Sequence, residues 1–454
     1  MSEKHSVPGA SETGMPELPL NAFVRRLTLL SAMGVFLDGY DLTIISVALL
    51  FIIPHFHPSA TLLGMVGAAA VAGMFVGSLV FGNLSDRFGR RTMYLLDLLF
   101  FVVFAILSAL SQNITELIVF RFLLGIGIGA DYPVSSALTA EFSPTKKRGL
   151  LLVATIASYQ VGAVVAYLVG LALIPLGPDA WRWMLASGAV PALLVMWSRR
   201  SIPESPRWLI RAGKVAEGQE VYRSIGHAAL QQTVEANKTT QREQNAKPKT
   251  SELGDFRRLF RKDLIRMTVF TALTWFLFDS GAYAFSVFYP TIFKSLKGST
   301  IESSVLASAI IAAVAFVGII LDLLLVDRVG RKYLQAVGLL GLGLMFILLS
   351  VITPGFSVFV ILFMIMYIFL QAPAQMTYLF SVEVFPTSVR ATGQGFATAI
   401  SRLGGLMGIF IFPLLMKDMG LSTGVRILGI AVLLAFILTV WLAPETRNQP
   451  LSDN

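Results

Sequence analysis

Residues 82–91 read GNLSDRFGRR and residues 327–332 read DRVGRK. Both contain Asp-Arg, one apolar residue, Gly and two cations, and Asp327 follows Asp86 by 241 residues. Three further pairs keep nearly that interval. Glu141-Phe-Ser-Pro-Thr145 recurs as Glu383-Val-Phe-Pro-Thr387, 242 residues on. Pro203-Glu204 recurs as Pro444-Glu445, and Phe36-Leu-Asp38 as Leu277-Phe-Asp279, both 241 residues on. Four matches at one offset mark the chain as two copies of one unit, each about half its length.

The material between the motifs says where the units sit. The chain has 454 residues, of which 55% are hydrophobic and only 14% charged, against about 25% charged in soluble domains. Mean hydropathy is +0.72. Apolar runs follow one another at 26–53, 61–84, 92–110, 114–138, 150–176, 182–199, 264–293, 303–326, 333–353, 356–381, 391–416 and 423–442. Each is near the length of about 20 residues that spans a bilayer. The expected organisation is a tail over 1–20, a six-helix half over 21–199, a polar central loop over 200–263, a second six-helix half over 264–447, and a tail over 448–454. Such parallel repeats place a substrate site near mid-membrane between the halves.

Cations set the orientation. Of the 36 Lys and Arg, 29 fall in, or at a span end bordering, the N-terminal tail, the even-numbered loops, the central loop or the C-terminus. The positive-inside rule then makes both termini cytoplasmic and the chain a multi-pass plasma-membrane protein. The net charge of +9 is thereby an orientation signal, not a nucleic-acid footprint. Arg257, Arg258, Arg261 and Lys262 suit anionic headgroups, so one or two short amphipathic helices are expected in the central loop. With no cysteine and four scattered histidines, no thiol chemistry, metal site or cofactor is expected.

These motifs resemble the major facilitator superfamily. Gly82–Arg91 is similar to its loop motif between helices 2 and 3, and Asp327–Lys332 to the copy in the second half. Arg121-Phe-Leu-Leu-Gly-Ile-Gly-Ile-Gly129 resembles the helix-4 motif of proton-coupled members. Pro203-Glu-Ser-Pro-Arg207 and Pro444-Glu-Thr446 resemble the sugar porters and their relatives. Asp38-Gly-Tyr-Asp-Leu42 is similar to helix 1 of phosphate:proton and aromatic-acid:proton symporters, and Gly129-Ala-Asp-Tyr-Pro133 to helix 4 of the phosphate symporters. The resemblance implies an all-α polytopic membrane protein with twelve transmembrane helices in two six-helix, pseudo-symmetric halves. It implies alternating access driven by protons, and no enzyme activity. By the same resemblance, Asp131, Tyr132, Gln160, Trp275, Asp279 and Tyr283 correspond to residues lining a phosphate site or its proton path. Two positions depart from the phosphate pattern: Ala374 follows Pro373 where Asn is frequent, and Arg402 stands where Lys is frequent. An Arg there is closer to the organic-anion branches. The paired helix-7 glutamines of sugar porters are missing.

Depth supports a central site independently. At about 1.5 Å per residue, Arg26 to Asp38, Arg148 to Gln160 and Arg390 to Arg402 each cover about 18 Å, which is mid-membrane. Arg266 to Asp279 covers about 20 Å, and Glu141 back to Asp131 about 15 Å. Polar side chains at that depth must face a cavity or one another. Asp38 and Asp131 are the leading proton-relay candidates. Asp41 is expected to pair with Arg121, either as part of the relay or only to fix helix packing. Asp97 either passes protons onward or is structural. Arg402 offers a planar fork for a carboxylate or phosphate, or neutralises Asp279. Trp275, Tyr283 and Tyr132 wall the site or merely pack; Gln371 and Gln375 line it or bond between helices.

At the cytoplasmic end, Asp86, Arg90, Asp327, Arg331, Glu141, Glu383 and Arg390 are the candidate gate. Asp86 and Arg90 are expected to pair across the halves with Glu383 and Arg390 when that end is closed, or to serve as topology determinants only. The function expected is proton symport of a small anion, inorganic phosphate or an organic carboxylate, by a monomer in the bilayer. A sugar or polyol is the alternative.

Overall fold

The computed structural model describes residues 22–142, 148–224, 257–352, 355–386 and 389–447. The expectations for both tails and for most of the central loop lie outside these residues. The first half is built of α1 (Ala22–Phe56), α2 (Ala60–Phe88), α3 (Arg90–Leu110), α4 (Ile114–Phe142), α5 (Arg148–Leu173), and the pair α6 (Ala180–Ser187) and α7 (Ala189–Arg199), which share one span broken at Gly188. Short helices α8 (Pro206–Arg211) and α9 (Val215–Ser224) follow. The second half contains α10 (Ile265–Ser295), α11 (Ile301–Val329), α12 (Arg331–Val351), α13 (Phe356–Glu383) and α14 (Arg390–Leu442). Helix is the only open chain form that satisfies its own backbone groups in hydrocarbon.

Among the described residues, eight helical runs are long and apolar enough to cross a membrane. Two of these runs each hold two spans. Ala157–Arg199 is divided by the 3-10 turn Ile174–Asp179, and Thr392–Leu442 by Gly420 at φ 82°. With α4, which carries Arg121 and Asp131 inside it, and α10, rich in Thr, Phe and Tyr, the spans number twelve, as the sequence predicts.

The repeat is visible in three dimensions. Gly89 (φ 100°) breaks α2 from α3, and Gly330 (φ 106°) breaks α11 from α12. Only glycine takes that conformation cheaply. These two turns, with Arg90, Arg91, Arg331 and Lys332, mark one end of the bundle, here called the basic end. Within each half the helices meet in matching pairs: α1 with α5 and α2 with α4, then α10 with α14 and α11 with α13. The halves meet through α1–α10, α2–α14 and α5–α11. Away from the basic end this seam is tight. Gly64 lies under the carbonyl of Phe410, and the Tyr167 and Tyr289 rings are 5.8 Å apart.

Candidate functional site

The first half gathers its charges on four helices. The α1 helix carries Asp38 and, almost one turn further, Asp41; both are buried. Arg121 on α4 donates from Nη1 to Asp41 at 2.7 Å, the expected pair, with Arg121 wholly buried. A second cluster centres on Arg199, the last residue of α7, also 0% exposed. Its Nη1 donates to Asp131 of α4 at 2.6 Å and lies 3.7 Å from Asp97 of α3. The same Nη1 donates to the carbonyl of Tyr94 (3.2 Å) and Nη2 to that of Leu30 (3.1 Å), and the guanidinium stacks 3.5 Å above the Tyr94 ring. Asp38, Asp97 and Asp131 line one cavity of about 10 Å³, with Gly34, Leu37, Leu98, Phe101 and Gly127. That volume holds about one water.

Arg199 corrects the sequence reading, which counted it among the loop cations. An arginine at the end of an apolar run reads as an orientation signal; here the side chain turns back into the bundle because two buried carboxylates await it. Gly34 makes room for this cluster. A Cβ on Gly34 would lie 2.5 Å from Arg199 Nη2 and 2.8 Å from Asp131 Cγ. Gly34→Ala is therefore expected to displace the Arg199–Asp131 pair and destabilise the fold by about 1–3 kcal/mol, read as a lowered melting temperature of the purified protein. An unchanged melt would show that the pair relaxes without cost.

In the second half, the side chains of Trp275 and Ser401 lie beside the Asp279 carboxylate of α10. The neighbouring Arg402 donates from Nη1 to the Tyr283 hydroxyl, with its guanidinium 5.7 Å from that ring. Arg402 acts electrostatically on Asp279 and, across the seam, on Asp38. The i, i+4, i+8 spacing of Trp275, Asp279 and Tyr283 thus delivers all three to one region on α10. The glutamines are used differently from each other. Gln160 of α5 donates to the carbonyl of Ala312 on α11 at 2.8 Å, bridging the halves beside the site. Gln371 donates to the Tyr367 carbonyl at 3.4 Å and Gln375 to the Asp322 carboxylate at 3.3 Å, so both amides serve contacts inside their own half. The side chains of Tyr132, Asp86 and Glu141 lie outside those described.

At the basic end, each half has its own fastening. Glu204 accepts from the backbone N–H groups of Arg90 (2.8 Å) and Arg91 (3.1 Å). Glu445 accepts from those of Arg331 (3.0 Å) and Lys332 (3.2 Å). Each carboxylate thus caps the open N–H groups of a helix that starts at a positive-φ glycine. The sequence revealed Glu204 and Glu445 as repeat partners without revealing this use. Among the described residues, the contacts of Glu383 lie within the second half. Thr446 donates to it at 2.5 Å and Arg331 lies 3.6 Å away, while Arg331 also holds Asp327 at 2.9 Å. Arg390 donates to the Phe385 carbonyl at 3.2 Å. These groups find their contacts among local partners of the second half.

The sequence matches the family described as sugar (and other) transporters over residues 27–453. The chain belongs to that family. It is therefore a major facilitator membrane transporter and not an enzyme. Relatives in this transporter family include the inner membrane metabolite transport protein YgcS of Escherichia coli, 33% identical over 97% of this chain and 96% of its own length. The arabinose-proton symporter of Bacillus subtilis is 30% identical over 95% and 94%. A probable inorganic phosphate transporter of Arabidopsis thaliana is 29% identical over 93% and 92%. The fold is that of the xylose transporter XylE of E. coli in a partially occluded inward open conformation, with a TM-score of 0.79 and 23% identity over 95% of this chain and 100% of that one.

Proposed function

We propose that the chain is a proton-driven symporter of a small anion, inorganic phosphate or an organic carboxylate, working by alternating access. One observation carries this reading: Arg402 lies within electrostatic reach of both Asp279 of its own half and Asp38 of the other. With both aspartates ionised, these three groups sum to a net negative charge that repels an anion. With both protonated, the sum is positive and the guanidinium fork is available. Proton uptake and anion binding then favour each other, which is thermodynamic coupling. The anion displaces Arg402 from Tyr283, with Trp275, Gln160 and Tyr132 completing the pocket. Asp41 with Arg121, and Asp38 with Asp131 and Asp97, carry the protons through the first half. The bias of Lys and Arg toward the tails, the even-numbered loops and the central loop favours a monomeric plasma-membrane protein with the basic end and both termini in the cytoplasm. In the state closed to the cytoplasm, the loop at Asp86–Arg90 meets the one at Glu383–Arg390, with Glu141 beside it; Asp327 and Arg331 stay with the second half.

The arabinose-proton symporter among the relatives favours a second reading, a sugar or polyol whose hydroxyls bond to Asp279. Uptake into proteoliposomes separates the two. Labelled phosphate, benzoate and arabinose are each offered with an inward proton gradient. Phosphate or benzoate is expected to accumulate, more at lower external pH, and to be released by a protonophore. Accumulation of arabinose with no effect of either anion would overturn the anion reading.

A further inference from the structure

The two halves fasten the same pair of helices with different chemistry. Glu204 and Glu445, 241 residues apart, cap α3 and α12 in the same way. The side-chain contacts deeper along those helices do not match. In the second half Gln335 of α12 donates to Thr439 of α14 at 3.3 Å, both buried and both uncharged. The positions 241 residues before them hold Tyr94 and Ser198, and next to Ser198 stands Arg199. The repeat counterparts of Arg199, Asp97 and Asp131 are Val440, Gly338 and Ala372. A neutral contact on one side thus faces a buried ionic cluster on the other.

The groups that face Arg199 are Asp38 on α1, Tyr94 and Asp97 on α3, and Asp131 on α4; Arg402 on α14 and Asp41 on α1 act on Asp38 from further off. Two of these carboxylates directly counter the guanidinium. Five residues on, Glu204 holds the start of α3, so Arg199 and Glu204 form one short strap across α1, α3 and α4.

We propose that Arg199 is the positioning residue that converts proton occupancy of Asp97 into movement of the basic end of the first half. The inference rests on the proton-coupled reading above and adds the element that transmits it. A buried guanidinium is tolerated only beside its counter-charge. When Asp97 takes a proton, half of that counter-charge is gone, and Arg199 gains by withdrawing toward water at the basic end. The strap then slackens on α1, α3 and α4. The matching place in the second half, held by Gln335 and Thr439, has no such response and serves as the reference at the basic end.

The chain contains no cysteine, so two introduced ones are its only labels. Phe88 and Val329 are repeat counterparts beside the two motif glycines, and both are exposed. Spin labels on Phe88→Cys/Val329→Cys, in nanodiscs without substrate, report the distance between the basic ends by pulsed electron resonance from pH 8 to pH 5. The parent is expected to shift its distance distribution with pH. Arg199→Gln, which copies the neutral contact of the second half, is expected to lose the shift, and Arg199→Lys to keep it. Asp97→Asn, with Arg199 in place, is expected to hold the low-pH distribution throughout. A parent that does not respond to pH overturns the proposal. So does an unchanged shift in Arg199→Gln or in Asp97→Asn. Because no substrate is present, an error about the transported solute leaves this result intact.

Discussion

Replacing Arg121 by methionine is expected to cost about 3–5 kcal/mol of stability, the range for removing one member of a buried ion pair. The magnitude follows from what is left behind. Asp41 has 4% of its side chain exposed, and its link to Arg121 is a single 2.7 Å contact. The Nε and Nη2 atoms of Arg121 have no hydrogen-bond partner among the described residues. The pair is therefore singly bonded and pays for desolvation without full compensation, which makes its net contribution small although its rupture is costly. The double variant Asp41→Leu/Arg121→Met is accordingly expected to recover most of the loss. Thermal unfolding of the detergent-solubilised protein gives both numbers, and the cycle isolates the coupling. If the double variant melts as low as Arg121→Met, the pair stabilises the fold in its own right. Transport by the double variant should stop in either case if Asp41 carries a proton.

The twelve spans and the two halves could be read from the chain because hydrocarbon permits so few backbone arrangements. The Asp41–Arg121 pair was legible for a related reason. Both residues lie within apolar runs on helices 1 and 4, and buried charges seek each other. Arg199 was not legible because hydropathy treats the last residue of a span as a loop residue. Side-chain direction, not depth, decides its role. One signal was available: its repeat position holds Val440, so the cation is not part of the common scaffold. Glu204 and Glu445 present the opposite case. Their repetition flagged importance, but their use as caps needs the helix starts at Gly89 and Gly330 in place. Gln375 shows a third limit. Its depth suited a cavity wall and an interhelical bond equally, and Asp322, 53 residues earlier on α11, is the partner it meets. Which neighbour a polar group meets depends on helix rotation, and the α13 sequence, apolar on nearly every face, does not encode that rotation.

Arg402→Ala is expected to abolish concentrative anion uptake. Truncating one partner of a buried, charged hydrogen bond costs about 2–5 kcal/mol. At tenfold per 1.4 kcal/mol, this is about 30-fold to several thousand-fold in transport at low substrate concentration. Arg402→Lys keeps the charge but not the planar two-pronged donor, so it should restore part of the loss for phosphate and less for a carboxylate held by both prongs. Asp279→Asn tests the other side of the balance. With Asp38 and Arg402 unchanged, the site charge then ranges from zero to positive as pH falls, where the parent ranges from negative to positive. Binding at pH 8 should therefore improve relative to the parent, and the rise in uptake between pH 8 and pH 6 should flatten. Substrate exchange, which needs no net proton movement, should survive in Asp279→Asn while accumulation against a gradient falls. Uptake assays on the three variants at the two pH values distinguish the cases. Full uptake in Arg402→Ala would mean that the transported solute is neutral, and a pH profile in Asp279→Asn equal to the parent's would place the coupling proton wholly in the first half.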